Sequence, residues 1–110
     1  GGLLTGKYQL DRDYPADSRM TLRPEPYLRF WNQRAFDGLE RFKMAAQARG
    51  LSPAGLALAW VMSCPLVTAP LIGPRKAEHF EPVREALQLT LTTADRVQIT
   101  ALLDEPHTQI

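Results

Sequence analysis

A single cysteine, Cys64, in 110 residues leaves no internal disulfide framework and fits a reducing compartment. The two histidines, His79 and His107, stand far apart with no Cys or acidic cluster beside them, which argues against a metal site. Long hydrophobic runs are missing as well. The longest, Leu56 to Met62, stops at Ser63 and Pro65, far short of the roughly 20 residues a membrane span needs. No basic stretch leads into an apolar one near the start, so no secretory signal is expected and cytoplasmic is the default location. Neither charge is in excess: a formal net charge of +1 gives no electrostatic case for nucleic acid or for an anionic membrane. There is no internal repeat or low-complexity tract. An opening Gly-Gly in place of methionine is expected of a processed product or a fragment.

What is present is the composition of an ordinary soluble globular protein, 45% apolar and 23% charged. The length suits one unit, residues 1–110, and a chain of this size buries only about 60–68% of its unfolded surface. Its margin of stability is therefore thin.

Residues 1–30 read as a long loop, because Gly1, Gly2, Gly6, Pro15, Pro24 and Pro26 deny any continuous helix. Such a length without structure of its own points to a functional loop or to disorder. From Asn32 to Arg49 the period turns helical, with Phe36, Leu39 and Phe42 three apart and Ala35, Ala45 and Ala46 beside them. Gly50 suits the position just past that helix. Ser52 is a good N-cap and Pro53 a good first residue for a second helix, running to about Met62. That helix is apolar nearly all round and needs cover on most faces. Leu66 to Ile72 reads as one short buried strand, although Pro70 disfavours a fully paired position. A helix is expected within 77–87, with Pro82 disturbing its start. Thr92 or Thr93 caps a last one, Thr92 and Asp95 resembling a capping box. Val97, Ile99, Leu102 and Leu103 supply its buried side and Pro106 ends it. One strand cannot make a sheet, so its backbone groups lack partners within this chain.

Two segments carry chemistry. In "PLIGPRKAEH", residues 70–79, a strand ends, Gly73 allows close backbone approach, and Arg75 and Lys76 precede a helix start. An anion, a phosphate first of all, is favoured there by the cations and the backbone N–H groups. An ordinary strand-to-helix turn with solvated charges is the competing reading. In "GGLLTGKY", residues 1–8, a glycine-rich turn ends in Lys7, but Tyr8 stands where a nucleotide-triphosphatase loop needs Ser or Thr for magnesium. That function is rejected. Trp31 and Trp60 read as packing residues, Cys64 as a buried inert thiol, and Glu78, Glu81 and Glu85 as a solvated helix face.

"GGLLTGKY", "LSPAGLALAWVMSCPLVTAPLIGPRKAEHF" and "LTTADRVQITALLDE" together resemble the C-terminal part of the aldo-keto reductases, across essentially the whole chain. The resemblance implies an α/β fold: the last part of a (β/α)8 TIM barrel, α-rich in isolation, with about four helices and one short strand. Residues 1–30 would be a cofactor loop, and 31–110 the last barrel helices, the last strand and the C-terminal helix. It implies NADPH as cofactor. Gly2 and Leu3 would approach the pyrophosphate, and Lys7 and Arg19 would contact its phosphates. Gly73, Pro74 and Arg75 fall where the family holds the 2′-phosphate, Pro74 offering no N–H. His79 takes the place of the usual glutamine or arginine, and Pro82 and Val83 replace the Glu-Asn pair that hydrogen-bonds adenine. The family's catalytic Asp, Tyr, Lys and His have no match here, so no catalytic residue is assigned.

The expected function is the cofactor side of an NADPH-dependent oxidoreductase that reduces aldehydes or ketones to alcohols. The alternatives are a non-catalytic NADPH-binding regulatory subunit of the same superfamily and a small helical interaction module. The expected partners are NADPH and a small carbonyl substrate in the intact protein. The uncovered strand and helix should also drive association with the missing part of the barrel or with a second copy.

Overall fold

Three of the longer helices start where a side chain satisfies a backbone N–H that the helix itself leaves orphaned. In the computed structural model, which describes residues 2–103, Asn32 Oδ1 accepts from Ala35 N–H at 2.9 Å and opens α2, Gln33–Ala48. Gly1, Pro106 and His107 lie outside the described residues. Ser52 Oγ accepts from Gly55 N–H at 3.0 Å at the head of α3, Pro53–Met62. Thr92 and Asp95 exchange two bonds, Thr92 N–H to Asp95 Oδ2 at 2.9 Å and Asp95 N–H to Thr92 Oγ1 at 3.0 Å. That reciprocal capping box starts α5, Thr93–Leu103. Between them, α2 ends in a Schellman motif. Gly50 N–H donates to Gln47 O and Leu51 N–H to Ala46 O, with Gly50 at φ +71°, a conformation that a side chain would resist.

These helices pack around Phe42 and Ala46 from α2, Leu56 from α3 and Ile99 from α5, all fully buried. A short α4, Glu81–Leu87, follows a 3₁₀ turn at Ala77–Phe80 and lies against α3. On α5 the buried side is Ile99, with Leu102 and Leu103 half-buried. Val97, expected with them, is 65% exposed, because two residues before Ile99 a helix points to its other side.

Helix α3 is bracketed by charges opposed to its dipole. At its N-terminus Glu85 of α4 accepts from Ser52 N–H at 2.7 Å and Ser52 O–H at 2.8 Å. At its C-terminus Arg96 of α5 donates to Trp60 O and, at 2.8 Å, to Ser63 Oγ, while its guanidinium lies 5.2 Å from the Trp60 ring centroid. Glu85 is therefore no part of a solvated face, unlike Glu78 and Glu81, which make exposed pairs with Lys76 at 3.8 Å and Arg84 at 3.4 Å. Gly55 leaves room for it: a Cβ there would sit 2.6 Å from Glu85 Oε2. Glu85→Ala is expected to cost about 1–2 kcal/mol, since a cap is lost and two donors are left unpaired. Urea unfolding of the two proteins measures it.

The capping box has a signature in acid. Thr92 N–H, and then the Thr92 hydroxyl, hold the Asp95 carboxyl below its ordinary value of 3.8, with Arg49 at 3.3 Å adding to the effect. A carboxyl depressed in the folded state stabilises above its unfolded pKa, and that contribution is lost as pH falls through the folded one. Asp95→Asn should accordingly melt lower than the parent at neutral pH. The two melting curves should converge below about pH 4, a convergence that thermal scans across pH can follow.

No strand forms among the described residues. Residues 65–76 run without regular structure after α3, and Leu66 and Leu71 are 92% and 101% exposed. A strand is held by bonds to a neighbour, and none is present to pair with it. Nor are residues 1–30 a bare loop. They contain 3₁₀ turns at Leu3–Thr5 and Glu25–Phe30 and a four-residue helix α1, Arg19–Leu22, capped by the buried Ser18. Cys64, expected buried, is half-buried. The radius of gyration is 14.3 Å, against about 13 Å for a close-packed chain of this length. No helix among the described residues is long and apolar enough to cross a membrane.

Candidate functional site

A cleft of about 520 Å³ gathers residues far apart in the chain. Gly2, Lys7, Asp17 and Arg19 come from the first segment, and Gly73, Pro74, Arg75 and His79 from the stretch after α3. Ala54 and Leu58 of α3 and Pro82 and Val83 of α4 complete the wall. Of the residues singled out from sequence, the structure thus brings together Gly2, Lys7, Arg19, Gly73, Pro74, Arg75 and His79. It places Leu3 elsewhere, in an adjoining, more apolar cleft of about 850 Å³ with Leu4, Tyr27, Phe30 and Leu39.

The local chemistry explains the placement. Gly2 sits at φ +78°, and a Cβ on it would lie 2.7 Å from both Cε and Nζ of Lys7. Glycine is what lets the lysine fold back over the turn. Arg19 is the first residue of α1, and Thr21 O–H to Pro15 O at 2.8 Å ties that helix to the turn before it. In the other wall, Arg75 N–H donates to His79 Nδ1 at 2.9 Å. That bond requires an imidazole bare at Nδ1 and protonated at Nε2. With Pro74 lacking an N–H and that of Arg75 engaged, this turn offers an anion fewer backbone donors than the sequence alone suggests. Its attraction rests on side-chain charge. Three cations, Lys7, Arg19 and Arg75, face one carboxylate, Asp17, and all four side chains are exposed.

Asp17 was not among the residues singled out from sequence. It is the described non-glycine residue at positive φ, +58°, a conformation that Asp tolerates better than most. Nothing in "PADSR" marks it beyond that tolerance. Ala54, Leu58 and Ile72 were missed as well, because cleft-lining apolar residues and core residues share one pattern.

The profile of the aldo/keto reductase family matches residues 1–104. The chain belongs to that family. Among curated relatives, it is 36% identical over 103 residues to L-glyceraldehyde 3-phosphate reductase of Escherichia coli (strain K12), covering 89% of this chain and 29% of that protein. It is 32% identical over 101 residues to Protein tas of the same strain, 92% of this chain and 29% of that one. Over a shorter stretch of 53 residues it is 40% identical to the uncharacterized oxidoreductase YrpG of Bacillus subtilis (strain 168), 48% of this chain and 16% of that one. The chain therefore spans less than a third of the length of these relatives. The family is one of oxidoreductases, its fold is the (β/α)8 barrel and its usual cofactor is NADP(H). Among the described residues the chain holds helices and no strand of such a barrel.

Proposed function

We propose that this chain is the cofactor-phosphate side of an NADPH-dependent reductase that converts aldehydes or ketones to alcohols. The observation that carries the reading is the meeting of Lys7, Arg19 and Arg75 in one cleft of a chain from this family. Three cations in one open cleft fit a ligand bearing several phosphates, and the fold-back of Lys7 over Gly2 leaves its ammonium beside a bare backbone turn. Bound NADPH would supply the hydride. The residues here would bind and orient it: Lys7 and Arg19 at the pyrophosphate, Arg75 at the 2′-phosphate, and His79 with Pro82 and Val83 beside the adenine. Gly2, Gly73 and Pro74, which line the cleft, would let the cofactor approach the backbone closely, while Leu3 lies in the adjoining cleft. The proton given to the carbonyl would come from a residue outside this chain.

The exposed Leu66, Leu71 and Ile72 are, on this reading, where the remaining units of the barrel pack. The relative named for L-glyceraldehyde 3-phosphate supports an aldehyde as the substrate class. A complete barrel carrying these residues should consume NADPH, and NADH more slowly, when offered small aldehydes and ketones. Consumption of neither cofactor with any of them would contradict the proposal.

A further inference from the structure

The two cations of the first segment, Lys7 and Arg19, are twelve residues apart and lie in the same cleft wall. Their immediate neighbours explain how they stay there. Tyr8, next to Lys7, is 5% exposed, and Met20, next to Arg19, is 1% exposed. The Tyr8 hydroxyl accepts from Met20 N–H at 3.3 Å in this buried setting. A single side chain thus joins the arm bearing one cation to the arm bearing the other.

The joint is in turn tied to α2. The Tyr8 ring meets Trp31 edge-on, with centroids 5.8 Å apart and planes at 75°. Trp31 also meets Tyr14 at 4.8 Å and Phe36 of α2 at 4.9 Å, both edge-to-face. These geometries are the favoured ones for aromatic pairs. They run from the rigid α2 through Trp31 to Tyr8, and from there to both cation-bearing arms.

We infer that Tyr8 is a positioning residue, whose hydroxyl sets the spacing of Lys7 and Arg19 for a ligand bearing two linked phosphates. The inference rests on the proposed cofactor role of the cleft. Two cations preset at a fixed separation bind a diphosphate without first losing the freedom of two flexible arms, and that loss is what rigid placement avoids. The hydroxyl acts on backbone spacing, so removing it leaves both charges and the aromatic packing intact.

The test is calorimetric titration of NADPH into a complete barrel carrying these residues and its variants Tyr8→Phe, Arg19→Met and the double variant, with thermal unfolding of each alongside. Tyr8→Phe keeps the ring against Trp31 and should melt close to the parent. Its dissociation constant for NADPH should nevertheless rise about 3- to 10-fold, the range of one hydrogen bond. The double variant should lose less than the product of the single losses, because spacing is irrelevant once one cation is gone. A Tyr8→Phe constant within twofold of the parent, or losses that multiply, overturns the positioning role alone. Arg19→Met binding NADPH like the parent, or no binding by the parent itself, overturns the cofactor reading on which it rests. If Tyr8→Phe melts much lower, the multiplicativity of the losses at a temperature where all variants are folded decides the question.

Discussion

Replacing Arg75 by glutamate is expected to weaken NADPH binding about 10- to 100-fold while changing NADH binding far less. A charge-assisted bond to phosphate contributes about 1.5–3 kcal/mol, which is a factor of that size in a dissociation constant. Arg75 is exposed in the cleft wall and forms no ion pair among the described residues, so its reversal should leave the fold as it is. The turn around it makes the effect larger. Pro74 has no N–H and that of Arg75 is donated to His79, so side-chain charge carries recognition that a backbone nest would otherwise share. NADH lacks the 2′-phosphate and should respond only to the general loss of positive potential. Parallel fluorescence titrations with both cofactors make the comparison, and equal losses for the two would refute the role given to Arg75.

The largest effect on stability is expected at Phe42. Its ring is 1% exposed and packs in the cluster that joins α2 to α3 and α5 through Ala46, Leu56 and Ile99. Phe42→Ala removes the ring and leaves a cavity that backbones held by caps at Asn32, Ser52 and Thr92 cannot readily close. Such truncations cost about 3–5 kcal/mol. For a domain whose total stability is about 5–15 kcal/mol, that is a large share. With about 4–8 °C lost per kcal/mol at this size, the midpoint should fall by at least about 12 °C. Val97, 65% exposed on the outer side of α5, is the control: Val97→Ala should shift stability by no more than about 0.5 kcal/mol. Circular dichroism on heating distinguishes the two.

What was legible in the sequence was what is local. Asn32, the Ser52–Pro53 pair, the Thr92–Asp95 box and Gly50 each satisfy a backbone group within a few residues, and each helix starts or stops where they stand. The strand at 66–72 was misread because strand formation depends on a neighbour elsewhere in the protein, which no local pattern can supply. Glu85 was misread for a similar reason. Its partner, Ser52, is 33 residues away, and an acidic residue on a short helix looks the same whether it faces water or caps a second helix. Val97 is as apolar as Ile99, but the helical period sets position 97 on the outer side of α5. The site followed the same division. The cations and glycines that face the cleft stand in recognisable motifs, whereas Asp17 and the Tyr8–Met20 bond arise from a fold-back of the first segment that no motif marks.

One cleft joins the first segment of the chain to the stretch between α3 and α4. Titrating NADPH into an isotope-labelled complete barrel carrying these residues, and following their backbone amide resonances, tests this most directly. The predicted result is a set of shifts concentrated at Gly2, Lys7, Arg19, Gly73, Arg75 and His79, with the amides of Phe42, Leu56 and Ile99 unmoved. Shifts confined to the cleft around Tyr27 and Phe30, or none at saturating cofactor, would contradict it.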